Sequence, residues 1–260
     1  MKTTLKLSNL LVAIASVFTL SSCLSSSNNE DTVYANYSSY VTIAGDSNMG
    51  YTFYSDFGCI LRPTSASIQE VLPGLSNSNA KRAFLAFNLI PESDNGKNLE
   101  KGAIYDITLV SSNYANYGIP TYNSLELSTV ESDSLITKNK YIQKVDQNIW
   151  AVNGYVNALM TLNYQQNKPF YISAYYDKEQ DIVPETNTFY LNLYYNNNSD
   201  DYNAQGQAVI SFDLPEEVAG EFSSDSINIV LKAITNYDDN ILQEVGKCRM
   251  AISDFYTPNF

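Results

Sequence analysis

Along most of the chain, apolar and polar residues alternate with a period of two, the repeat of a strand with one buried face. Tyr40–Ala44 and Tyr51–Phe57 are short runs of this kind, the second closed by Gly58. Ala83, Leu85, Phe87 and Leu89 alternate with Phe84, Ala86 and Asn88, and Ala103, Tyr105, Ile107 and Leu109 with Asp106 and Thr108. Together these predict about five strands, a number that suits a small barrel. Regularity fails over residues 111–125, where Asn, Ser, Gly118 and Pro120 predict a domain junction. Beyond it the pattern returns. Trp150, Val152, Gly154, Val156, Ala158, Met160 and Leu162 share one face, with Ala151, Asn153, Tyr155, Asn157, Leu159, Thr161 and Asn163 on the other. This run exceeds normal strand length, so Gly154 predicts a bulge or bend. Phe170–Tyr176, Phe189–Tyr195, Ala208–Leu214 and Ile227–Ala233 continue the series, and one helical turn is expected over Glu216–Ala219, after Pro215. The predicted class is all-β: a barrel over 37–113, then an antiparallel β-sandwich over 114–260.

The N-terminus breaks this pattern. Lys2 and Lys6 precede an apolar run, Leu10–Leu20, too short for a bilayer, which takes roughly 20 apolar residues. It fits the apolar region of an export signal. Leu20-Ser21-Ser22-Cys23 then resembles the lipobox of bacterial lipoproteins: an aliphatic residue, two small ones, and the cysteine whose thiol takes the lipid. Residues 1–22 are therefore expected to be removed and Cys23 to be lipidated. About two or three acyl chains on it anchor stably where one is marginal. Residues 23–36, rich in Ser and Asn, read as a flexible tether with a reach of roughly 20 Å. Leu24 is not the aspartate that signals retention at the inner membrane, so the expectation is an outer-membrane lipoprotein facing the periplasm or the cell surface.

Composition narrows the chemistry. Hydrophobic residues make up 44% of the chain, enough to bury a sizeable core. The net charge is −13, and the mature chain is more acidic still, because Lys2 and Lys6 leave with the leader. Such a surface repels phosphate backbones, which excludes nucleic acid as a partner and leaves the lipid on Cys23 as the membrane contact. There is no histidine, so Ser-His and Cys-His catalytic pairs are ruled out, as is the commonest zinc ligand. Tyrosine, with 21 copies, favours pleated surfaces.

The residues also carry a family resemblance. Gly50–Thr64, Lys81–Phe87 and Tyr105–Leu109 resemble the opening strands of the NigD-like lipoproteins. Trp150–Leu162, Phe189–Asn198 and Val209–Leu214 are similar to that family's sandwich strands. The resemblance implies an N-terminal OB-like domain and a C-terminal β-sandwich, without implying a molecular activity. The chain departs from the family in its Asn-rich, acidic hairpin loops and its lack of histidine.

Each candidate site has a plainer reading beside it. Cys59 and Cys248 are the thiols left after lipidation. Paired, they would stabilise by about 4–5 kcal/mol through loop closure, but separate burial is the favoured reading. Asp201-x-Asn203-x-Gln205-Gly206 partly matches a calcium loop, yet Phe212 stands where the bidentate glutamate belongs, so a polar hairpin loop is preferred. Glu216-Glu217 and Asp238-Asp239 read as solvated faces. Tyr155, Tyr171, Tyr175, Tyr190 and Tyr194 are placed on outward faces, where they would stack sugars, meet a protein or pair across strands. Asp31-Thr32-Val33, Asp133-Ser134-Leu135 and Asp225-Ser226-Ile227 resemble an O-glycosylation site of some Gram-negative anaerobes.

No catalytic residue, metal ligand or cofactor is assigned. The expected role is a non-catalytic binding or accessory module of the envelope, holding a glycan or an envelope protein. The alternatives are a carbohydrate-active hydrolase with paired carboxylates and a subunit of a surface assembly.

Overall fold

The computed structural model describes residues 35–46, 50–68, 81–110, 116–136, 138–166, 168–198, 201–236 and 241–255. The leader, Cys23, most of the tether, the Asp31–Val33 pattern and Asp238-Asp239 lie outside them. The chain divides into two units, the break falling between Ile119 and Pro120.

The first unit holds β1 (Tyr37–Asp46), β2 (Gly50–Ser55), β3 (Ile60–Pro63), β4 (Arg82–Ile90), β5 (Ile104–Leu109) and β6 (Tyr117–Ile119). They pair in the order β1-β2-β3-β5-β4, and β4 returns to β1, so five strands close a barrel while β6 adds to β4. The β3–β5 pair is parallel and the others are antiparallel. This is the strand order of the OB fold. The alternation read from the sequence sets its interior: Val41, Phe53, Leu61, Ala83, Leu85, Phe87, Leu89, Ile107 and Leu109 form one buried cluster. Near the end of β1, Gly45 takes φ +80°, and a Cβ there would strike the carbonyl oxygen of Gly50. On the outer side of β4, Arg82 is fully buried and forks onto Asp56, both bonds at 2.7 Å, with a third bond to Thr42.

The second unit is a two-sheet sandwich. One sheet joins β7 (Thr121–Tyr122), β9 (Lys144–Val145), β10 (Trp150–Val152), β11 (Tyr155–Tyr164) and β15 (Ala204–Asp213). The other runs β17-β16-β14-β12-β8, from Gln243–Ala251 through Ser226–Ala233, Thr188–Asn196 and Tyr171–Asp177 to Ser124–Leu127, with β13 (Ile182–Val183) on β14. Two helices complete it, α1 (Thr129–Ile136) and α2 (Glu216–Ala219). The core joins Val156, Ala158, Met160, Ile210 and Phe212 of the first sheet to Phe189, Leu191, Leu193, Ile229 and Leu231 of the second.

Four features differ from the sequence reading. First, the sandwich is mixed, with β14–β16, β12–β8 and β15–β7 all parallel. Alternation gives a strand's faces but not its direction. The chain leaves β14, runs through β15 in the opposite sheet, and returns in β16 beside β14. Second, Trp150–Leu162 is not one bent strand. Asn153 and Gly154 both take positive φ, 51° and 79°, and turn the chain between the paired residues Val152 and Tyr155. An Asn-Gly step between alternating runs is the signature of such a two-residue hairpin. Third, α1 was not anticipated. Its signal is Ser128-x-x-Glu131: the Glu131 carboxylate accepts the Ser128 N–H at 3.0 Å and its hydroxyl at 2.7 Å, while Ser128 Oγ accepts the Glu131 N–H at 3.4 Å, a capping box. Fourth, Tyr155 and Tyr175 are buried and Tyr190 and Tyr194 half-buried, so of the five tyrosines placed outward only Tyr171 is freely exposed.

Phe189 lies at the centre of this packing with no exposed surface, whereas Tyr171 is 59% exposed. Phe189→Ala is expected to destabilise by about 3–5 kcal/mol, and Tyr171→Ala by less than about 0.5 kcal/mol. Urea unfolding midpoints of the two variants check the difference.

Candidate functional site

A shallow depression lies in the second unit, where β8, β12 and α2 converge. Glu126 of β8 and Tyr176 of β12 are register partners in the parallel pair, so their side chains leave the sheet side by side. The Tyr176 ring packs edge-on against Phe189, with centroids 5.3 Å apart, and its hydroxyl reaches the rim. There it meets Glu126 Oε2 at 3.3 Å and Glu217 Oε1 of α2 at 3.5 Å. Lys178 and Glu221 pair across the opening at 2.9 Å. Ile182 and Val218 line the rest of this shallow hollow.

Burial holds the Tyr176 phenol well above its ordinary pKa, and the Glu217 and Glu126 carboxylates push it further. The hydroxyl stays protonated and donates, but one O–H satisfies one acceptor at a time. Three exposed glutamates thus surround an apolar floor with a single lysine among them. The arrangement suits a cationic side chain laid across the floor. It also sets two carboxylates against one phenol. The Glu216-Glu217 pair is thereby separated: Glu217 faces the hollow and Glu216 faces solvent. Sequence reasoning missed Tyr176 and Glu126, because their meeting depends on a parallel pairing that periodicity does not reveal.

The remaining candidates fall elsewhere. Cys59 is buried in the barrel and Cys248 sits on β17 opposite Ile229; both are free thiols. Burial raises the Cys59 thiol and pushes Cys248 up to about 12, so neither is an activated nucleophile. In the calcium-like stretch, Asn203 Oδ1 accepts the Gln166 N–H at 3.1 Å and Gln205 donates to Asn163 at 3.0 Å. Those side chains fasten a hairpin loop. Among the described residues, no group of three or more acidic or cysteine side chains is arranged to hold a metal ion. Nor is any helix among them long and apolar enough to cross a membrane.

A family model, the NigD-like C-terminal beta sandwich domain, matches residues 126–243. The second unit is a NigD-like β-sandwich domain. Solved structures extend the likeness over most of the chain. A DUF1344 protein from Bacteroides vulgatus is 15% identical, with a TM-score of 0.52 over 82% of this chain and 89% of its own. A protein from Parabacteroides distasonis, described as toxin related, is 16% identical, with a TM-score of 0.55 over 84% and 94%. A third, from Parabacteroides merdae, is 12% identical, with a TM-score of 0.54 over 83% and 99%. At such identities the likeness is one of fold. No curated protein matches by sequence. The NigD-like sandwich places Glu126 near the start of the matched region and Glu217 well inside it, so the hollow belongs to this domain.

The hollow's phenol is one of several buried in the NigD-like domain. Burial raises Tyr176 and Tyr195 well above the ordinary value and takes Tyr175 to about 12. The unfolded chain releases these protons near pH ~10, and the folded chain keeps them to higher pH. Between those limits the folded state binds more protons, so stability is full below about pH 10 and falls as pH rises above it. Tyrosinate absorbance is expected to appear together with loss of far-ultraviolet dichroism. Tyr176→Phe should move that alkaline midpoint upward.

Proposed function

We propose that this protein is an outer-membrane lipoprotein, held by acyl chains on Cys23, whose NigD-like domain acts by binding rather than by catalysis. The observation that carries the reading is the N-terminal sequence: two lysines, a short apolar run, and Leu20-Ser21-Ser22 before the cysteine. A binding role is supported by what the folded part offers. Its thiols are raised, the Asn203 oxygen of its calcium-like stretch is engaged, and the acids of its hollow are exposed at a rim. The partner chemistry is a glycan or an envelope protein that presents cationic side chains to the Tyr176 hollow.

One observation favours a second reading. Glu126 and Glu217 face one another across the Tyr176 hydroxyl, and paired carboxylates are what glycoside hydrolysis requires. Turnover on a glycan panel, lost in Glu217→Gln, would establish the hydrolase. Saturable binding without turnover, weakened by the same change, supports the module.

The anchor is tested by Cys23→Ser. The wild type should incorporate labelled palmitate and sediment with outer membranes, and the variant should do neither. A wild type that takes no label sinks the reading.

Of the three Asp-Ser/Thr-aliphatic patterns, the fold separates two. Ser134 is exposed on α1, whereas Ser226 accepts the Arg249 guanidinium at 2.9 and 2.7 Å within the β16–β17 ladder. Peptide mass spectrometry of the native lipoprotein is expected to find glycan at Ser134 and bare peptide at Ser226.

A further inference from the structure

A second polar cluster lies on the outer face of the β12–β14–β16 sheet and takes no part in the hollow. Asp181, in the turn after β12, is 6% exposed. Its two carboxylate oxygens have different surroundings. Oδ2 accepts the backbone N–H of Asp177 at 2.9 Å and the Nδ2 of buried Asn192 at 2.7 Å. Oδ1 faces the Nζ of Lys232 at 3.7 Å. Lys232 is the cross-strand partner of Asn192 in the parallel β14–β16 pair, and its ammonium rests 3.8 Å over the Tyr190 ring. The other acid of the cluster, Asp177, is already engaged: it accepts from the Glu179 N–H, the Thr129 hydroxyl and the Gln180 amide.

Three features distinguish this pair from an ordinary ion pair. The approach is too long for the charge-assisted hydrogen bond that such a pair forms when free to relax, about 2.7–2.9 Å. Burial raises the Asp181 carboxyl against the opposing pull of the Asp177 N–H, Lys232 and Asn192, which eases the passage of a proton onto it. Most tellingly, the oxygen turned away from the amine is held by two N–H donors, the arrangement that stabilises an oxyanion. An acid, an amine and an oxyanion cradle, largely shielded from water, are the components of amide formation.

We propose that Lys232 and Asp181 join in an intramolecular amide that ties the β12–β13 turn to strand β16. One ammonium proton passes to Oδ1, leaving a neutral amine and a neutral carboxyl. The Nζ lone pair attacks Asp181 Cγ, and the charge that develops on Oδ2 is held by the Asp177 N–H and the Asn192 amide. A second Nζ proton moves to Oδ1, which departs as water while the carbonyl re-forms at Oδ2. One C–N bond forms, one C–O bond breaks, and one water is released without oxidant or cofactor. The product replaces a buried carboxylate and a half-buried ammonium with a neutral amide, removing the cost of holding the carboxylate out of water.

The test is trypsin digestion of the denatured full-length chain. Between Lys178 and Lys247 the sole tryptic site is Lys232. If the amide forms, trypsin cannot cut there. The peptide Glu179–Lys247 then appears intact, lighter than its sequence by one water, with fragment ions joining Asp181 to Lys232. Lys232→Arg keeps a cation over Tyr190 but forms no amide, so cleavage at 232 and full mass should return. Asn192→Leu removes one oxyanion donor and should lower the cross-linked fraction at least tenfold. Quantitative cleavage of the wild type at Lys232, or an uncut peptide of full mass, overturns the proposal.

Discussion

The second unit is organised around one row of side chains. Phe189, Leu191, Leu193 and Tyr195 leave the same face of β14, and none has any exposed surface. β14 is central in its sheet, with β12 antiparallel on one side and β16 parallel on the other. Val156, Ala158 and Met160 of β11 close over the row from the opposite sheet. The hydrophobic contribution of such a row scales with the apolar area removed from water, at roughly 25 cal/mol per Å². Keeping it dry dictates much else: a hairpin at Asn153-Gly154 to supply the covering strand, and a crossing through β15 to bring β16 alongside.

The abundance of tyrosine follows from the same constraint. A buried tyrosine needs a partner for its hydroxyl, so it belongs where the ring reaches the core and the oxygen reaches its margin. Tyr195 meets this by donating to the Asn163 carbonyl at 2.6 Å, and Tyr176 by reaching the glutamates of the hollow. The hollow is thus a by-product of packing: a ring needed against Phe189 delivers a phenol to the rim, where α2 and β8 already carry acids. The barrel solves a related problem differently. Arg82 projects from the outer side of β4, and its burial is made tolerable by the forked bond to Asp56. Removing either partner would leave a buried charge without its counterion.

How far the sequence discloses the molecule depends on which physical property is asked for. The period of two marks the faces, and it selects Leu85 and Phe87 in the barrel and Val156 and Met160 in the sandwich as core. It is silent on direction, so the parallel partners of β12 and β14 were out of reach, and with them the meeting of Glu126 with Tyr176. The Asn-Gly turn and the Ser128–Glu131 cap were legible, because each is a local hydrogen-bonding or backbone preference written in two to four residues. They were outweighed by unbroken alternation through Gly154 and by the lack of an apolar stripe along α1. The tyrosines misplaced to the surface show the limit of a two-face rule. On a sheet whose outer side carries a helix, both faces of a strand become dry, and Tyr175 is buried with its neighbour Tyr176.

This last point explains why the polar chemistry of the NigD-like domain gathers where it does. A sandwich interior lined by Phe and Leu has no use for charge, and a fully solvated strand face gives charge little leverage. Intermediate conditions arise only where a turn or helix folds back over a sheet. The 177–181 turn over β14 is one such place, and α2 beside β12 is another. In the first, Asn192 and Lys232 are ordinary outward residues of their strands until Asp177 and Asp181 roof them, and the carboxylate then sits among fixed donors with little water to compete. In the second, the roof is partial and the glutamates stay wet, so water competes for each of their contacts. One fold thereby yields a shielded polar cluster and an open one, and the depth of cover sets how strongly water competes with the protein's own donors at each.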